Sequence, residues 1–303
     1  MGFLVAVFHP LQLPLSKGER KKQITRQVSI MAFYIKKSQS LRKNVRRIVR
    51  QQICKAIKNI HMAGGNDEEA VHGIRKCIKR IRAVLRLIRA EIGEPTYQCE
   101  NKRYRSVAQP LTMIRNTRVI AGTLDELSEH AQNQFNNLSV ALREEHQQVR
   151  QRELGQSLSQ VKEMLVQSYY RVSRWHLRRD HWKTIHQGMK KMRRQCKRAM
   201  KTTLNQNTPE NLHEWRKRSK YYWHQLEIMS PISKSSKALV HRVHKLTDYL
   251  GNDRDLFMLL DRAKEILAPH EQENLESLSM LIACKRHRLQ KKSFRLGREI
   301  FSS

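Results

Sequence analysis

Apolar side chains recur at steps of three and four residues along most of this chain, the spacing that places them on one side of an α-helix. The clearest example is the seam formed by Val71, Ile74, Ile78, Ile81, Leu85 and Ile88. Glycine (11 residues) and proline (7 residues) are sparse among the 303 residues, which favours long helices over strands and turns. The pattern predicts an all-α fold with a substantial buried core.

The periodic segments divide at glycine, proline and asparagine. They predict helices at about 36–62, 67–92, 97–110, 116–127, 181–204, 210–229, 237–250, 253–267 and 270–300, with two more inside 133–174. Gly64-Gly65, Pro110, Pro231 and the Gly251-Asn252 pair are the expected breaks, and Pro209 is expected to begin a helix.

The first 30 residues follow a different pattern. Residues 1–15 are apolar but lack the basic start and the small-residue cleavage pattern of a secretory signal. We expect residues 1–30 to be a disordered tail or an upstream extension of the coding frame, with the folded domain at 31–303. Since no run approaches 18 apolar residues, no transmembrane span is expected.

An internal repeat organises the chain. His72 with Arg75, Lys76 and Lys79 aligns with His213 followed by Arg216, Lys217 and Lys220, and Asn116 with Arg118 aligns with Asn252 with Arg254. The repeat predicts two pseudo-symmetric helical-bundle halves, about 31–174 and 175–303.

Charge limits the class of partner. Lys and Arg total 60 against 27 Asp and Glu, a net charge of +33 at pH 7. The acids are also segregated, because none occurs between Glu19 and Asp67 or between Asp180 and Glu210. An excess this large favours an acidic partner: a nucleic acid, an anionic membrane or a phosphate polymer.

A cationic stripe runs beside the apolar seam of the helix at 71–88. It consists of His72, Arg75, Lys79, Arg82, Arg86 and Arg89, widened by Lys76 and Arg80. No acid occurs between Glu69 and Glu91 to compensate these charges, and like charges at such spacings destabilise a helix. The stripe is either a solvated face or, as we favour, one wall of a basic channel. Further rows that could converge on this channel are Arg42, Lys43, Arg46, Arg47 and Arg50, and Lys190, Arg193, Arg194, Lys197, Arg198 and Lys201.

Gly251 to Asp255 form the sharpest short motif. Asn252 or Asp253 is suited to cap a following helix, and Asp255 is expected to hold Arg254 in place. The counterpart in the first half, around Arg118, keeps the arginine and lacks both acids.

Together these motifs resemble the CHAD domain, a family named for conserved histidines in an α-helical domain. The resemblance covers about residues 31–300. It implies two helical-bundle halves around a basic central channel, inorganic polyphosphate as the ligand, and association with polyphosphate granules. The binding residues carried over are His72, Arg75, Lys76, Lys79, Arg82, Arg118, His213, Arg216, Lys217, Lys220 and Arg254; Arg86 joins them as part of the stripe.

Catalysis and metal binding are not expected. The residues offer no general acid–base pair, activated nucleophile or glycine-rich phosphate loop. The five cysteines never form a CxxC pair, and no cluster has metal-ligand spacing, so we expect no cofactor and a reducing, cytoplasmic setting.

Two alternatives remain open. An RNA- or DNA-binding protein would also be basic, although aromatics are 6% of residues, and Trp215 and Tyr222 fall on an apolar seam. A peripheral membrane protein would need an amphipathic helix with exposed large apolar residues, whereas the apolar seams here are better explained as bundle core.

Overall fold

The computed structural model describes residues 33–128, 134–180, 182–230, 237–267 and 271–302. Within these ranges the secondary structure is helical, with no strand, and the all-α prediction is confirmed. The helices are α1 (Leu41–His61), α2 (Asp67–Leu87), α3 (Arg89–Ile92), α4 (Glu94–Ala108), α5 (Thr112–Ser128), α6 (Asn136–Arg171), α7 (Trp182–Asn205), α8 (Pro209–Met229), α9 (Lys237–Ile266) and α10 (Gln272–Phe301), with a 3-10 turn at Val172–Arg174. All of them lie in one unit, Tyr34–Ser303. The segment 1–30 lies outside the described residues.

Local sequence signals explain where the helices that carry the repeat begin. The Asn66 side chain accepts a hydrogen bond from the Glu69 amide at the start of α2, and three acids occupy the first turn, where the helix dipole favours negative charge. The Thr208 side chain accepts from the Asn211 amide at the start of α8, with Pro209 in the first turn. The two repeat helices therefore start from equivalent caps.

Two predicted breaks are wrong. The region 136–171 forms the single helix α6, and α9 continues through Gly251 and Asn252. Asp253 does not cap a helix: its carboxylate accepts hydrogen bonds from Arg286 Nε at 3.0 Å and Gln290 Nε2 at 2.8 Å. These tertiary contacts to α10 stabilise the continuous helix and outweigh the weak helix preference of glycine.

The core is built from antiparallel neighbours and from cross-repeat contacts. α1 packs on α2, α7 on α8, α8 on α9, and α9 on α10. One apolar cluster, which includes Trp215 and Phe301, is formed mainly by side chains of α7, α8, α9 and α10. A second cluster is formed mainly by side chains of α5, α6, α9 and α10. Gly297 permits the close approach of α10 to α8, because a β-carbon there would lie 2.8 Å from Trp215 Cζ2.

Helices that correspond in the repeat meet each other. α2 packs on α8, and α5 packs on α9. These two contacts bring part of each repeat motif to a shared space. A pseudo-twofold relation between complete halves stays a prediction.

The described helices include none long and apolar enough to cross a membrane.

Candidate anion-binding site

A cavity of about 960 Å³ lies between the repeat helices. Its walls come from α2, α5, α6, α8, α9 and α10. Of the residues named from the sequence, His72, Arg75, Lys76, Lys79, Arg118, Arg216, Lys220 and Asp255 line it. The volume is at the upper end of what small-ligand sites enclose.

Five of the cations that line this cavity come from three helices. They are Arg75 and Lys79 from α2, Arg115 from α5, and Arg216 and Lys220 from α8. We call these five side chains the cationic cluster. Each half of the repeat contributes to it, because α2 and α8 face each other.

Arg75 is held by the junction between α4 and α5. Its Nη1 donates to the Ala108 carbonyl at 2.9 Å and to Thr112 Oγ1 at 3.2 Å. That carbonyl is available because α4 ends at Ala108, just before Pro110, and the Thr112 amide bonds to Gln109 instead. The break predicted at Pro110 thus creates the anchor for a site residue.

Arg216 crosses from α8 to the backbone of α9. A β-carbon added at Gly251 would lie 3.8 Å from Arg216 Nε, so the glycine leaves the guanidinium room. Among the described residues, neither Arg216 Nε nor Arg75 Nε has a hydrogen-bond partner, although both atoms are buried. Two buried donors, one from each repeat helix, are suited to an oxyanion.

The cluster is electrostatically unfavourable without a ligand. Burial, with the charges of Lys220, Arg216 and Arg75, holds the pKa of Lys79 well below its ordinary value. Burial and Arg115 lower the pKa of Arg75 to about 10. Burial and Arg216 lower the pKa of Lys220, against the opposing charges of Asp248 and Asp255. An anion in the cavity would relieve this repulsion.

Some of the acids in the cavity wall pair with its cations. Asp255 pairs with Arg115 at 3.2 Å, inside the cationic cluster. At the start of α2, Glu68 pairs with Arg118, and Asp67 accepts from Arg150 Nε at 2.9 Å. Arg118 therefore lines the cavity as predicted from the sequence, but its charge is compensated there.

The sequence matches the CHAD domain family model over residues 47–264. That match spans more than half of the chain. The chain belongs to the CHAD family. No curated protein matches it.

Solved structures give the same fold. The crystal structure of the CHAD domain from the plant Ricinus communis matches with a TM-score of 0.63 and 16% identity, covering 89% of this chain and 94% of that one. PptA from Streptomyces chartreusis matches with a TM-score of 0.60 and 14% identity, covering 87% of this chain and 98% of that one.

The C-terminal part of the cationic stripe on α2 lies outside the cavity lining. Arg82 and Arg86 both donate to Asn101 Oδ1 of α4, and the Arg86 guanidinium lies 3.6 Å from the ring centroid of Tyr221. Neither residue lines the cavity in the described part of the chain. These two arginines connect α2 to α4 and α8.

Three predicted residues of the second CHAD repeat also lie outside the cavity lining. Lys217 pairs with Glu214, and the Arg254 guanidinium lies 4.9 Å from the ring centroid of Phe257. His213 is exposed, while His72 lines the cavity. Asp255 was expected to hold Arg254, and its carboxylate instead contacts Arg115.

Both repeat histidines are held towards the neutral form. Burial, then the charges of Lys79 and Lys76, lowers the pKa of His72. Partial desolvation by neighbouring atoms, then the charges of Arg216 and Arg254, lowers the pKa of His213, although its side chain still reaches solvent. At neutral pH each imidazole can therefore donate a hydrogen bond without adding a full charge.

The cation row on α1 serves the fold. Arg46 donates to the Trp175 carbonyl at 3.0 Å, and Arg47 donates to the Tyr34 carbonyl at 2.6 Å. Arg50 lies 5.1 Å from the ring centroid of Tyr169. In the described part of the chain no residue of this row lines the cavity.

Several cavity cations were missed by sequence reasoning. They are Arg115, Arg150, Lys285, Arg288 and Lys292, with His146, His224 and His244 beside them. The i, i+3, i+7 spacing of Lys285, Arg288 and Lys292 was a usable signal for one basic face of α10. Arg115 occupies the repeat position of Gly251, so a change from glycine to arginine across the repeat marked it as well.

Proposed function

We propose that this CHAD protein binds inorganic polyphosphate in the cavity, without catalysing a reaction on it. The observation that supports this most is the cationic cluster, in which burial and neighbouring cations lower the pKa values of Lys79 and Lys220. Beside them lie two buried guanidinium nitrogens, Nε of Arg75 and of Arg216, that have no hydrogen-bond partner in the described part of the chain. A ligand with closely spaced negative charges would neutralise several of these groups at once. The CHAD resemblance implies the same ligand.

The aromatic content of the cavity favours a bare phosphate polymer over single-stranded nucleic acid. Recognition of unpaired bases relies on exposed aromatic faces. In the described lining the one aromatic besides histidine is Trp223, which is 9% exposed. Its ring lies 4.2 Å from His244 and 4.5 Å from His224, centroid to centroid, so its faces are occupied. A polymer without bases does not need such a surface.

Competition binding tests the proposal. Labelled polyphosphate is bound to the purified full chain and challenged with excess RNA over a salt series. We expect polyphosphate to persist, and Arg75→Glu with Arg216→Glu to abolish binding. The matched control is Lys55→Glu with Lys58→Glu, which has the same charge change on the exposed side of α1.

Two further variants distinguish a loss of binding from a loss of folding, because Arg75 also stabilises the junction between α4 and α5. Lys76→Gln and Lys220→Gln remove cavity charge, and helicity is followed by circular dichroism. The proposal is wrong if RNA displaces polyphosphate freely and all variants weaken binding only in proportion to net charge. That outcome would favour a general polyanion- or nucleic-acid-binding protein.

Absence of catalysis and association with granules have their own tests. Highly purified protein is expected to release no phosphate from polyphosphate; hydrolysis that is lost in the cavity variants would contradict this. The fluorescently tagged chain is expected to collect on polyphosphate granules in cells, and the Arg75→Glu, Arg216→Glu variant is expected to stay dispersed.

A further inference from the structure

One basic surface predicted from the sequence does not reach the cavity. Helix α7 contains no Asp or Glu over Trp182–Asn205. Its residues Lys190, Arg194, Lys197 and Lys201 follow one another at steps of four, three and four. These steps keep all four on one side of the helix, over about 17 Å of its axis. We call these four residues the α7 basic face.

The opposite side of α7 is fixed in the core. Met192, Cys196 and Met200 are buried in the cluster around Trp215, on the side where α7 packs on α8 and α10. Lys190, Arg194 and Lys201 are exposed, and Lys197 is half-buried. The orientation of the basic face is therefore set by the packing of the helix.

The charges of this face have no partners in the described part of the chain. None of the four side chains makes an ion pair or a side-chain hydrogen bond there, in contrast to Arg46 and Arg47 on α1. Like charges spaced at three and four residues destabilise a helix by a few tenths of a kcal/mol per pair. Neutralisation by a bound anion would remove that cost.

The face is also separate from the proposed ligand cavity. Among the described residues no part of α7 contributes to the cavity lining, which comes from the six other helices named above. An anion in the cavity therefore leaves the α7 basic face available to a second stretch of polymer.

The chemistry of the α7 basic face limits the class of ligand that it can bind. Membrane insertion requires large exposed apolar side chains, and of those described on α7 Leu204 alone is exposed. Binding of unpaired bases requires aromatic faces, and none of the four residues is aromatic. A row of flexible cations suits a chain of phosphates, which offers negative charge along its whole length.

We propose that the α7 basic face is a second polyphosphate-binding surface, so that one molecule bridges two polymer segments. This rests on the proposed function, because the cavity holds the first segment. Where polymer is dense, a second segment is present near the face at a high effective concentration, so a weak surface is sufficient to link the two segments. Such linking would condense polyphosphate rather than only coat it.

A capture assay tests the bridge in the full chain. Long-chain polyphosphate is immobilised, the protein is added, and capture of a second, fluorescent polyphosphate is measured. The test variant is Lys190→Gln with Arg194→Gln and Lys201→Gln. The control is Lys55→Gln with Lys58→Gln and Lys102→Gln, three exposed cations outside both surfaces with the same total charge change.

We expect the test variant to reduce capture about ten-fold, because three phosphate contacts are lost, while the control variant stays near wild type. Affinity for a short polyphosphate that fills the cavity is expected to change less than about two-fold in both variants. Equal capture by the two variants overturns the bridge and leaves cavity binding intact. Equal capture of RNA in place of the second polyphosphate also overturns it, since the face would then serve nucleic acid. Loss of short-chain binding only in Arg75→Glu with Arg216→Glu reports on the cavity independently.

Discussion

Arg115 of α5 donates from Nη2 to Oδ1 of Asp255 of α9 at 3.2 Å, and this ion pair joins the two halves of the repeat. Both side chains are about one-fifth exposed. Asp255 also acts on its neighbours, since its charge raises the pKa values of Arg216 and Lys220 against the burial that lowers them. The Asp255 carboxylate therefore opposes part of the repulsion among the cations of the cluster.

Replacing the Asp255 carboxylate should change folding stability and polyphosphate affinity in opposite directions. Asp255→Asn is expected to destabilise the unliganded protein by about 1–3 kcal/mol, because a partly buried charge loses its partner. The same change should tighten polyphosphate binding, since the cavity gains net positive charge. Urea unfolding and polyphosphate titration measure the two effects. Asp261→Asn, an exposed position on the same helix, is the control and should change neither.

The α2 stripe should divide into two functional parts. Arg86→Gln is expected to cost about 1–2 kcal/mol of folding free energy, because it removes the contact with Tyr221 and weakens the bond to Asn101. Polyphosphate affinity should change less than about two-fold. Lys76→Gln on the same helix should weaken binding and leave stability nearly unchanged. Similar binding losses in both variants would show that the whole stripe contacts ligand.

The basic side of α10 gives a test with adjacent residues. Lys292 lines the cavity and Lys291 does not, and both are exposed. Lys292→Gln should weaken polyphosphate binding and lower the slope of log affinity against log salt by about one unit, since one phosphate contact is lost. Lys291→Gln should keep the wild-type slope. An equal fall in slope for both would mean that binding follows net charge alone.

Acid should destabilise the fold through a buried histidine. Burial lowers the pKa of His224 to about 4, although its bond to Glu227 at 2.8 Å opposes the shift. The ordinary pKa of 6.5 applies in the unfolded chain, so the unfolded state binds more protons between these values. The free energy of unfolding should therefore be highest above about pH 6.5 and should fall as the pH drops towards 4, by on the order of 2–3 kcal/mol from this residue.

Urea unfolding across pH 4 to 7 is the measurement for this effect. His224→Gln should flatten the profile but not abolish it, because the pKa values of His72, His146 and His213 are also lowered, with burial as the largest cause. A profile of unchanged steepness in the variant would assign the acid sensitivity to other groups.

Residue type and spacing along the chain were sufficient to predict most of the helices and the family. Apolar spacing located the helices, although it divided α6 and α9 into two each. Caps such as Asn66 and Thr208 defined where the repeat helices begin. Local signals failed at Gly251, where a weak helix former lies inside α9. There the contacts of Asp253 with Arg286 and Gln290 decide the outcome, and they join residues far apart in sequence.

The candidate site required more than periodicity. The helical spacing of the cations shows which residues lie on the same side of α2. It does not show which other elements pack against that side. The first part of the stripe, Arg75 and Lys79, faces the cavity between α2 and α8, whereas Arg82 and Arg86 are covered by α4 and Tyr221. Likewise, nothing local distinguished Arg46 on α1, which bonds a backbone carbonyl, from Lys197 on α7, which has no such contact in the described residues.

The sequence by itself determined the all-α class, the repeat, the excess of positive charge and the motifs of the CHAD family, because these depend on residue type and spacing alone. Only the tertiary structure decided which cations converge, which are compensated and which remain outside the cavity. The physical reason is that convergence and compensation depend on the distance between helices. Cations of α5 and α8 lower the pKa values of Lys79 and Arg75 on α2 only after packing brings them together.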